Sequence, residues 1–553
     1  MIGLVTATAG GRAAAERLAE GWPPGLPEPR RFEVGDLGLA WASCSGLVCF
    51  LAAGATVRLV APLLQDKASD PGVVVVDEAV RFAVSLLGGH LGGANELARA
   101  VADVLGAEPV VTTATDAVGL PGLDTLGWPV EGAVAAVSRA MIEGDEVRLE
   151  VDGTWPLPAL AAGPEGVHVL AVTDRLLPLD ALTAVLRPPS LVLGIGASSG
   201  VSAGELDDLV GRTLADAGLS ERSVCAVGTA AAKRDESGLV AYAAGKGWPL
   251  TVFDHHELAA VDVPNPSAAP LRAIGTPSVA EAAALLLGDE LVVAKTKSPM
   301  ATVAVARRQG RGRLAVVGLG PGARDLLTPR AATELRRASV WVGLDQYVAQ
   351  VRDLARPATR VLASGLGQEE ERAHLAVTEA QAGHAVALLG SGDAGVYAMA
   401  SPALALAGDD IDVVVVPGVT AALAAAAVLG APLGHDHVSI SLSDLHTPWP
   451  AIEARVRAAA EADLVVTFYN PRSGGRSWQL PAALELLREH RPASTPAGIV
   501  TDASRPGQSV VLTTLAALDP SAVTMLSCVV VGSSQSTVVA GRFVTPRGYR
   551  WAQ

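Results

Sequence analysis

Short, almost wholly apolar β-branched runs separated by alanine- and leucine-rich stretches recur from one end of this sequence to the other. No other feature limits the fold as strongly. The runs lie at residues 2–6, 73–76, 191–195, 314–317, 413–416, 464–468 and 529–531. A run so short and apolar reads as a strand buried on both faces, and the stretches between supply helices to cover it, which predicts an α/β architecture. Many runs end directly in Gly, Pro, Thr or Asp. Polar loops therefore follow the carboxyl ends of strands, where open α/β sheets bind ligands.

The chain has 553 residues, and at about 150 residues per domain it should hold three or four. Hydrophobic residues make up 50% and charged residues 18%, which excludes a disordered chain. The net charge of -15 argues against a nucleic-acid partner, which needs a basic surface. The longest apolar runs, such as 421–430, fall short of the roughly 20 residues that span a bilayer. The start MIGLVTATAGG lacks a basic region of the secretory type. The expectation is a cytoplasmic protein with no membrane partner. Cys44, Cys49, Cys225 and Cys528 show no metal-binding or disulfide spacing and read as small core residues.

The basic, glycine-containing stretch ARRQGRGR at 306–313 is the best linker candidate, with weaker breaks at 155–164 and 187–189. The expected segments are 1–118, 119–188 and 189–306, a linker at 307–312, and 313–553.

In the last segment the run at 314–317 leads into Gly318, Leu319, Gly320, Pro321, Gly322 and Ala323, with Asp345 beyond. This satisfies a dinucleotide fingerprint formally, but that motif starts its helix within the glycines. Here Thr328 and Pro329 read as the N-cap and first turn of the next helix, several residues too late. A nicotinamide dehydrogenase and a ligand-free turn both remain open on this loop alone. Three further loops follow strands: Gly390 to Tyr397 after 385–389, Pro417 to Ala421 after 413–416, and the run to Ser473 after 464–468. Loops so rich in Gly and Pro let backbone groups approach a flat ligand closely.

The segments VGLGPG at 317–322, GSGDAGVYAMA at 390–400, PGVTAA at 417–422, ISLSDLHTPW at 440–449 and TFYNPRS at 467–473 resemble the tetrapyrrole methyltransferase family. The resemblance is to its precorrin-3B C(17)-methylating branch and covers about 313–553. It implies a two-subdomain α/β fold that binds S-adenosylmethionine and methylates a reduced porphyrin at C(17) with contraction of the ring. Gly318, Gly320, Pro321, Gly392, Asp393, Tyr397, Pro417, Gly418, Thr420 and Ala421 would then line the cofactor cleft, with Tyr469 and Asn470 near it. Asp393 has the alternative of a loop-capping carboxylate. Asp444 is the candidate substrate-side acid or base. His446 departs from the family's leucine and reads either as a partner for a tetrapyrrole carboxylate or as an exposed loop histidine. The resemblance also implies a homodimer through this part. Long cobalt-pathway forms carry an iron–sulfur extension, for which this chain has no cysteine cluster.

Towards the N-terminus, residues 62–71 place three charges in a turn before the buried run 73–76, which ends at Asp77 and Glu78. Residues 85–95, SLLGGHLGGAN, set His90 between two Gly pairs at the start of a helix-like run, uncrowded enough to reach a ligand. An isolated histidine is also often structural.

DKASDPGVVVVDE at 66–78, SLLGGHLGGANELA at 85–98 and PVVTTATD at 109–116 resemble the N-terminal part of the cobalt-precorrin-5A hydrolase (CbiG) family. LVLGIG at 191–196, AKRDESGL at 232–239, TPSVAEAAALL at 276–286 and KTKSPMATVAVAR at 295–307 resemble its C-terminal part. Opening of a δ-lactone with release of acetaldehyde is implied. That reaction needs an activated water and an oxyanion stabiliser. His90 is the candidate base, Lys67 or glycine-loop amides the oxyanion partners, and Asp70 or Glu78 the orienting carboxylates. Lys233 and Glu236 are an alternative polar pair, or simply a surface ion pair of about 0 to 1 kcal/mol. ASSG at 197–200 replaces an arginine-bearing stretch, which would weaken contacts to substrate carboxylates.

The whole reads as a multidomain α/β chain: CbiG-like domains followed by a two-subdomain tetrapyrrole methyltransferase. A bifunctional enzyme of corrin biosynthesis acting on precorrin or cobalt-precorrin substrates is expected. The alternative is an active methyltransferase with a noncatalytic corrinoid-binding N-terminal half.

Overall fold

The computed structural model describes residues 1–23, 26–66, 69–89, 92–112, 122–123, 126–267, 271–272 and 275–548. The backbone forms two compact units: Met1–Gly153 with Leu160–Gly310, and Thr154–Ala159 with Arg311–Gln553. Among the described residues no helix is long and apolar enough to cross a membrane.

The first unit contains three sheets. Six strands run in the order Pro29–Glu33, Ile2–Thr6, Gly46–Phe50, Gly72–Val76, Phe82–Leu87, Glu108–Val110. Neighbours are parallel except across Gly72–Val76 and Phe82–Leu87. Ile2–Thr6, Gly46–Phe50 and Gly72–Val76 are buried at every position, because helices cover both faces of a parallel sheet. A four-stranded sheet follows, in the order Val130–Gly132, Thr183–Leu186, His168–Val172, Val147–Val151. The third sheet runs Leu250–Phe253, Val224–Ala230, Leu191–Ala197, Ala301–Arg307, Glu290–Lys297. Its last two strands form an antiparallel hairpin.

Two stretches differ from the sequence expectation. The run at 85–95 begins as strand, with Leu87 paired to Val73, and the helix starts only at Ala94. The glycines serve a backbone crossing: a Cβ on Gly72 would lie 2.2 Å from the Gly92 carbonyl oxygen. The basic stretch at 306–313 also begins as strand. Ala306 is fully buried and Arg307 makes two hydrogen bonds to Asp174, at 2.7 and 3.0 Å.

The second unit has two lobes. Its first sheet is wholly parallel, in the order Arg360–Ser364, Val340–Leu344, Ala385–Gly390, Arg313–Gly318, Asp412–Val416. The second is mixed: His437–Ser441, Val465–Tyr469, Ser527–Val531, Pro496–Thr501, Ser509–Thr514. Apolar clusters pack on both faces of the first-lobe sheet and around the second. Because Arg313–Gly318 lies between Ala385–Gly390 and Asp412–Val416, the loops after these three strands emerge side by side at one carboxyl edge. That adjacency places the site.

Candidate functional site

The three loops touch through backbone. Gly320 and Gly392 exchange N–H···O bonds of 3.0 and 2.8 Å, both in left-handed conformation, with φ of 73° and 70°, which glycine adopts without strain. A Cβ on Gly418 would fall 2.2 Å from the Gly392 carbonyl oxygen. Asp393 ties the second loop to the third: its carboxylate accepts from Gly395 N at 2.8 Å and Gly418 N at 3.0 Å. It is therefore the loop cap that sequence reasoning held as its alternative, and it also lines the cavity below. Thr328 caps the helix Pro329–Arg337, accepting from Ala331 N. That helix starts well past the glycines, so the dinucleotide arrangement is not formed.

A cavity of about 190 Å³ opens beside the loops. Pro321, Gly392, Asp393 and Tyr397 line one side, and Thr420, Ala421, Tyr469 and Asn470 another. Gly318, Gly320, Pro417 and Gly418 are not among the lining residues; the first two and Gly418 form the backbone contacts behind it. Tyr469 Oη lies 2.5 Å from Thr420 Oγ1 and accepts from Ala422 N at 2.8 Å. Burial pushes its phenol above the ordinary range, so the hydroxyl stays protonated at neutral pH. The Tyr397 and Tyr469 rings stand 5.1 Å apart.

A second cavity, of about 550 Å³, shares Tyr347, Ser391, Tyr397 and Asn470 with the first. Tyr397 and Asn470 both have left-handed backbone, with φ of 52° and 48°. Non-glycine residues seldom adopt it, and it persists where surrounding structure enforces it. The enforcement is visible. Tyr397 Oη donates to the Ser439 carbonyl and accepts from Ser441 N, while Asn470 Nδ2 donates to Ser441 Oγ at 3.1 Å.

Sequence reasoning missed three arginines here. Arg505, from the second lobe, donates to the Pro321 carbonyl at 2.8 Å and to Ser391 Oγ at 3.3 Å, clasping two first-lobe loops. Arg372 is 5% exposed, held by Ser364, Gly365 and Glu369, and lines the larger cavity. Arg455 lines it too, is exposed, and has no ion pair among the described residues. No local pattern marks any of the three. His446 lines the same cavity. Asp444 is exposed, accepts from Gln479 Nε2 at 2.9 Å, and is not among the lining residues of either cavity.

In the first unit, Glu78 accepts from the Thr8 hydroxyl at 3.0 Å, beside the helix Ala9–Glu20 that Thr8 caps. Asp70 accepts from Gln65 N at 3.1 Å, closing its own turn. His90 and Lys67 lie outside the described residues. Lys233 donates to Glu236 at 3.1 Å and to Ser199 Oγ at 2.9 Å, and Gly200 N donates to Glu236 at 2.8 Å. The two side chains are 20% and 11% exposed, so this pair is no freely solvated surface bridge. It closes the ASSG loop, and the Gly200 amide, then Lys233, hold the Glu236 carboxyl below its ordinary range.

Fold and site together define a two-unit α/β protein whose second unit carries a two-chambered cleft at the carboxyl edge of a parallel sheet. Its families follow from comparison with known proteins. Residues 313–519 match the tetrapyrrole (corrin/porphyrin) methylases, 37–116 the cobalamin synthesis G N-terminal domain and 191–306 the cobalamin synthesis G C-terminus. A probable cobalt-factor III C(17)-methyltransferase of Salmonella typhimurium is 46% identical over 43% of this chain and 99% of its own length. A precorrin-3B C(17)-methyltransferase of Sinorhizobium is 41% identical over 41% of this chain and 91% of its own. A cobalt-precorrin-5A hydrolase of Priestia megaterium is 34% identical over 48% of this chain and 79% of its own. The chain belongs to the tetrapyrrole methylase family through its second unit and to the CbiG family through its first: a cobalamin-biosynthesis methyltransferase joined to CbiG hydrolase-like domains.

Proposed function

We propose that the second unit transfers a methyl group from S-adenosylmethionine to C(17) of cobalt-factor III with contraction of the ring. We propose also that the first unit hydrolyses the δ-lactone of cobalt-precorrin-5A and releases acetaldehyde. The observation that carries the first part is the pair of adjoining cavities meeting at Tyr397 and Asn470, the smaller suited to the donor and the larger to the macrocycle.

The residues of the smaller cavity fit S-adenosylmethionine. Asp393 has both carboxylate oxygens engaged by backbone amides, which fixes the carboxylate in the wall where a cationic ligand would face it. The rings of Tyr397 and Tyr469 present π faces that attract a cation. Pro321, Gly392, Thr420 and Ala421 would hold the flat remainder by close backbone approach. When bound, S-adenosylmethionine supplies an already activated methyl group. The chain's task is to orient donor and acceptor and keep water out. Tyr397 and Asn470, fixed by the strand His437–Ser441, set the boundary across which the methyl group passes. Arg455, Arg372 and His446 place positive or ionisable groups around the larger cavity for the acceptor's carboxylates.

The cobalt substrate is favoured because one chain joins this unit to a CbiG-like unit, and the Priestia relative of that unit is named for a cobalt-bearing substrate. In the first unit His90 is proposed as base, Lys67 or glycine-loop amides as oxyanion partners, and Asp70 or Glu78 as orienting carboxylates. The two reactions are not consecutive, since a C(11) methylation falls between them, so handover of a single intermediate is not proposed. The family resemblance supports a homodimer through the second unit.

The test is mass spectrometry of the full chain with S-adenosylmethionine and either cobalt-factor III or the oxygenated precorrin-3B intermediate. The second arm supplies cobalt-precorrin-5A and measures acetaldehyde. Gain of one methyl on the cobalt substrate, with acetaldehyde in the second arm, is expected. Methylation of the metal-free substrate alone would reject the cobalt assignment, and absence of acetaldehyde would reject the hydrolase.

A further inference from the structure

Only five of the chain's 42 lysine and arginine residues are lysine: Lys67, Lys233, Lys246, Lys295 and Lys297. All five lie in the first unit. A chain that meets nearly every need for positive charge with arginine keeps an ammonium where a compact point charge with three donors is wanted. Three of the five gather at one strand end. Lys233 bonds to Ser199 just beyond the strand Leu191–Ala197, and Lys295 and Lys297 line a cavity of about 260 Å³ with Ala197, Ser198, Ser298 and Thr302.

The strand Glu290–Lys297 explains the pairing. Thr296 Oγ1 lies 2.6 Å from Thr213 Oγ1, on the helix Ala203–Asp216. Thr296 and Lys297 pair regularly with Val303 and Thr302, so Lys297 takes the opposite face, that of the helix Val279–Leu287. Lys295, at the register shift before Thr296, reaches the same cavity. Val279 lines the same cavity.

The wall is built to hold its shape. Ser298 Oγ and Met300 N both donate to Glu205 Oε1, at 2.5 and 2.8 Å, and Ser198 N donates to the Met300 carbonyl at 2.8 Å. Lys295 Nζ donates to the Asn265 carbonyl. The fully buried Glu281 accepts from Asn265 N, Asn265 Nδ2 and Lys295 N at 3.1, 2.9 and 3.1 Å. Both neighbouring carboxylates are thus engaged by uncharged donors. Lys297 Nζ has no hydrogen bond or ion pair among the described residues. Positive charge is left without compensation at the carboxyl end of a strand, beside a cavity large enough for a side chain and small for a macrocycle.

We propose that this cavity binds a peripheral carboxylate of a corrinoid, an acetate or propionate side chain, with Lys297 as its contacting cation and Lys295 held beside it. The proposal rests on the reading of the first unit as corrinoid-processing. A charge-assisted ammonium–carboxylate bond here supplies what the arginine-free ASSG loop does not.

The test uses the full chain with cobyrinic acid, whose peripheral carboxyl groups are free, and a water-soluble carbodiimide, which joins a carboxylate to an amine in contact with it. Peptide mass spectrometry locates the coupled lysines. Coupling concentrated on Lys297, with less on Lys295, is expected. Lys297→Arg still binds a carboxylate but does not couple, so it should lower the coupled yield about fivefold while leaving affinity by equilibrium dialysis within about twofold. An unchanged yield in that variant would overturn the proposal. Coupling confined to Lys67, Lys233 or Lys246 would overturn the cavity while keeping a corrinoid on the first unit. No coupling to any lysine would remove the corrinoid reading of the first unit as well, because the second unit has no lysine.

Discussion

The glycine loops of the two units look alike in sequence and do different work. In the second unit, Gly318, Gly392 and Gly418 bring three neighbouring strand ends so close that a Cβ on Gly418 would meet backbone at 2.2 Å. The space left beside them is a cleft. In the first unit, Gly72 and Gly92 also approach to a Cβ distance of 2.8 Å or less, but they carry one loop over the start of a single strand. Close backbone approach therefore opens a cleft where several strand ends share one edge, and seats a loop against a strand where one loop meets one strand.

Substituting the two glycines tests that contrast most severely. Gly418→Ala should displace the third loop and lower methyl transfer about 100-fold, the scale of a misplacement of about 1 Å in a positioned site. S-adenosylmethionine affinity by calorimetry should fall with it. Gly72→Ala should cost the first unit about 2 kcal/mol through overpacking, read by denaturant unfolding, and leave methyl transfer unchanged. Equal loss of methylation in both variants would break the comparison.

A smaller effect separates the two chambers. Arg455→Gln should raise KM for the tetrapyrrole about tenfold, the loss of about 1.4 kcal/mol, without changing S-adenosylmethionine affinity. A change in the latter would show that Arg455 serves the donor chamber. The smallest effect concerns pH in the first unit. Glu236 has a lowered folded-state pKa, so its stabilisation is complete above the ordinary glutamate value of about 4.3 and is lost as pH falls from there towards the lowered value. Thermal melting of the first unit should drop as pH falls from about 5 to about 3, across and below the ordinary glutamate value, by more in the parent than in Glu236→Gln. Equal drops would mean that the ASSG loop does not depend on this carboxylate.

Of the twelve residues that the resemblance assigns to a cofactor cleft, eight line the smaller chamber, and Gly318, Gly320, Pro417 and Gly418 do not. Ten of that chamber's lining residues, among them Asp393, Tyr397, Tyr469 and Asn470, stand in the motifs that carried the resemblance. The same motifs supply ten lining residues of the larger chamber, among them Tyr397, Ser443, His446 and Asn470, but none of the arginines. Arg372 and Arg455 of the larger chamber sit on helices amid ordinary charged residues, and Arg505 of the smaller in a turn, with nothing local to distinguish them. The run at 85–95 was misread because its glycines suit a helix start as well as a crossing, and only the pairing of Leu87 with Val73 decides between them.

By itself the sequence determined the α/β class, the positions of the principal strands, the late helix start at Thr328 and Pro329, and the membership of both units. These properties are written in side-chain period, capping chemistry and contiguous motifs, all of which act over a few residues. The tertiary structure alone decided that Asp393 caps a neighbouring loop, that Asp444 turns to Gln479, that Arg505 clasps the first lobe, and that Lys295 and Lys297 share a wall with Ser198. Each of these depends on strand order and register, which bring together residues tens to hundreds of positions apart, and no short-range pattern encodes which strand ends become neighbours.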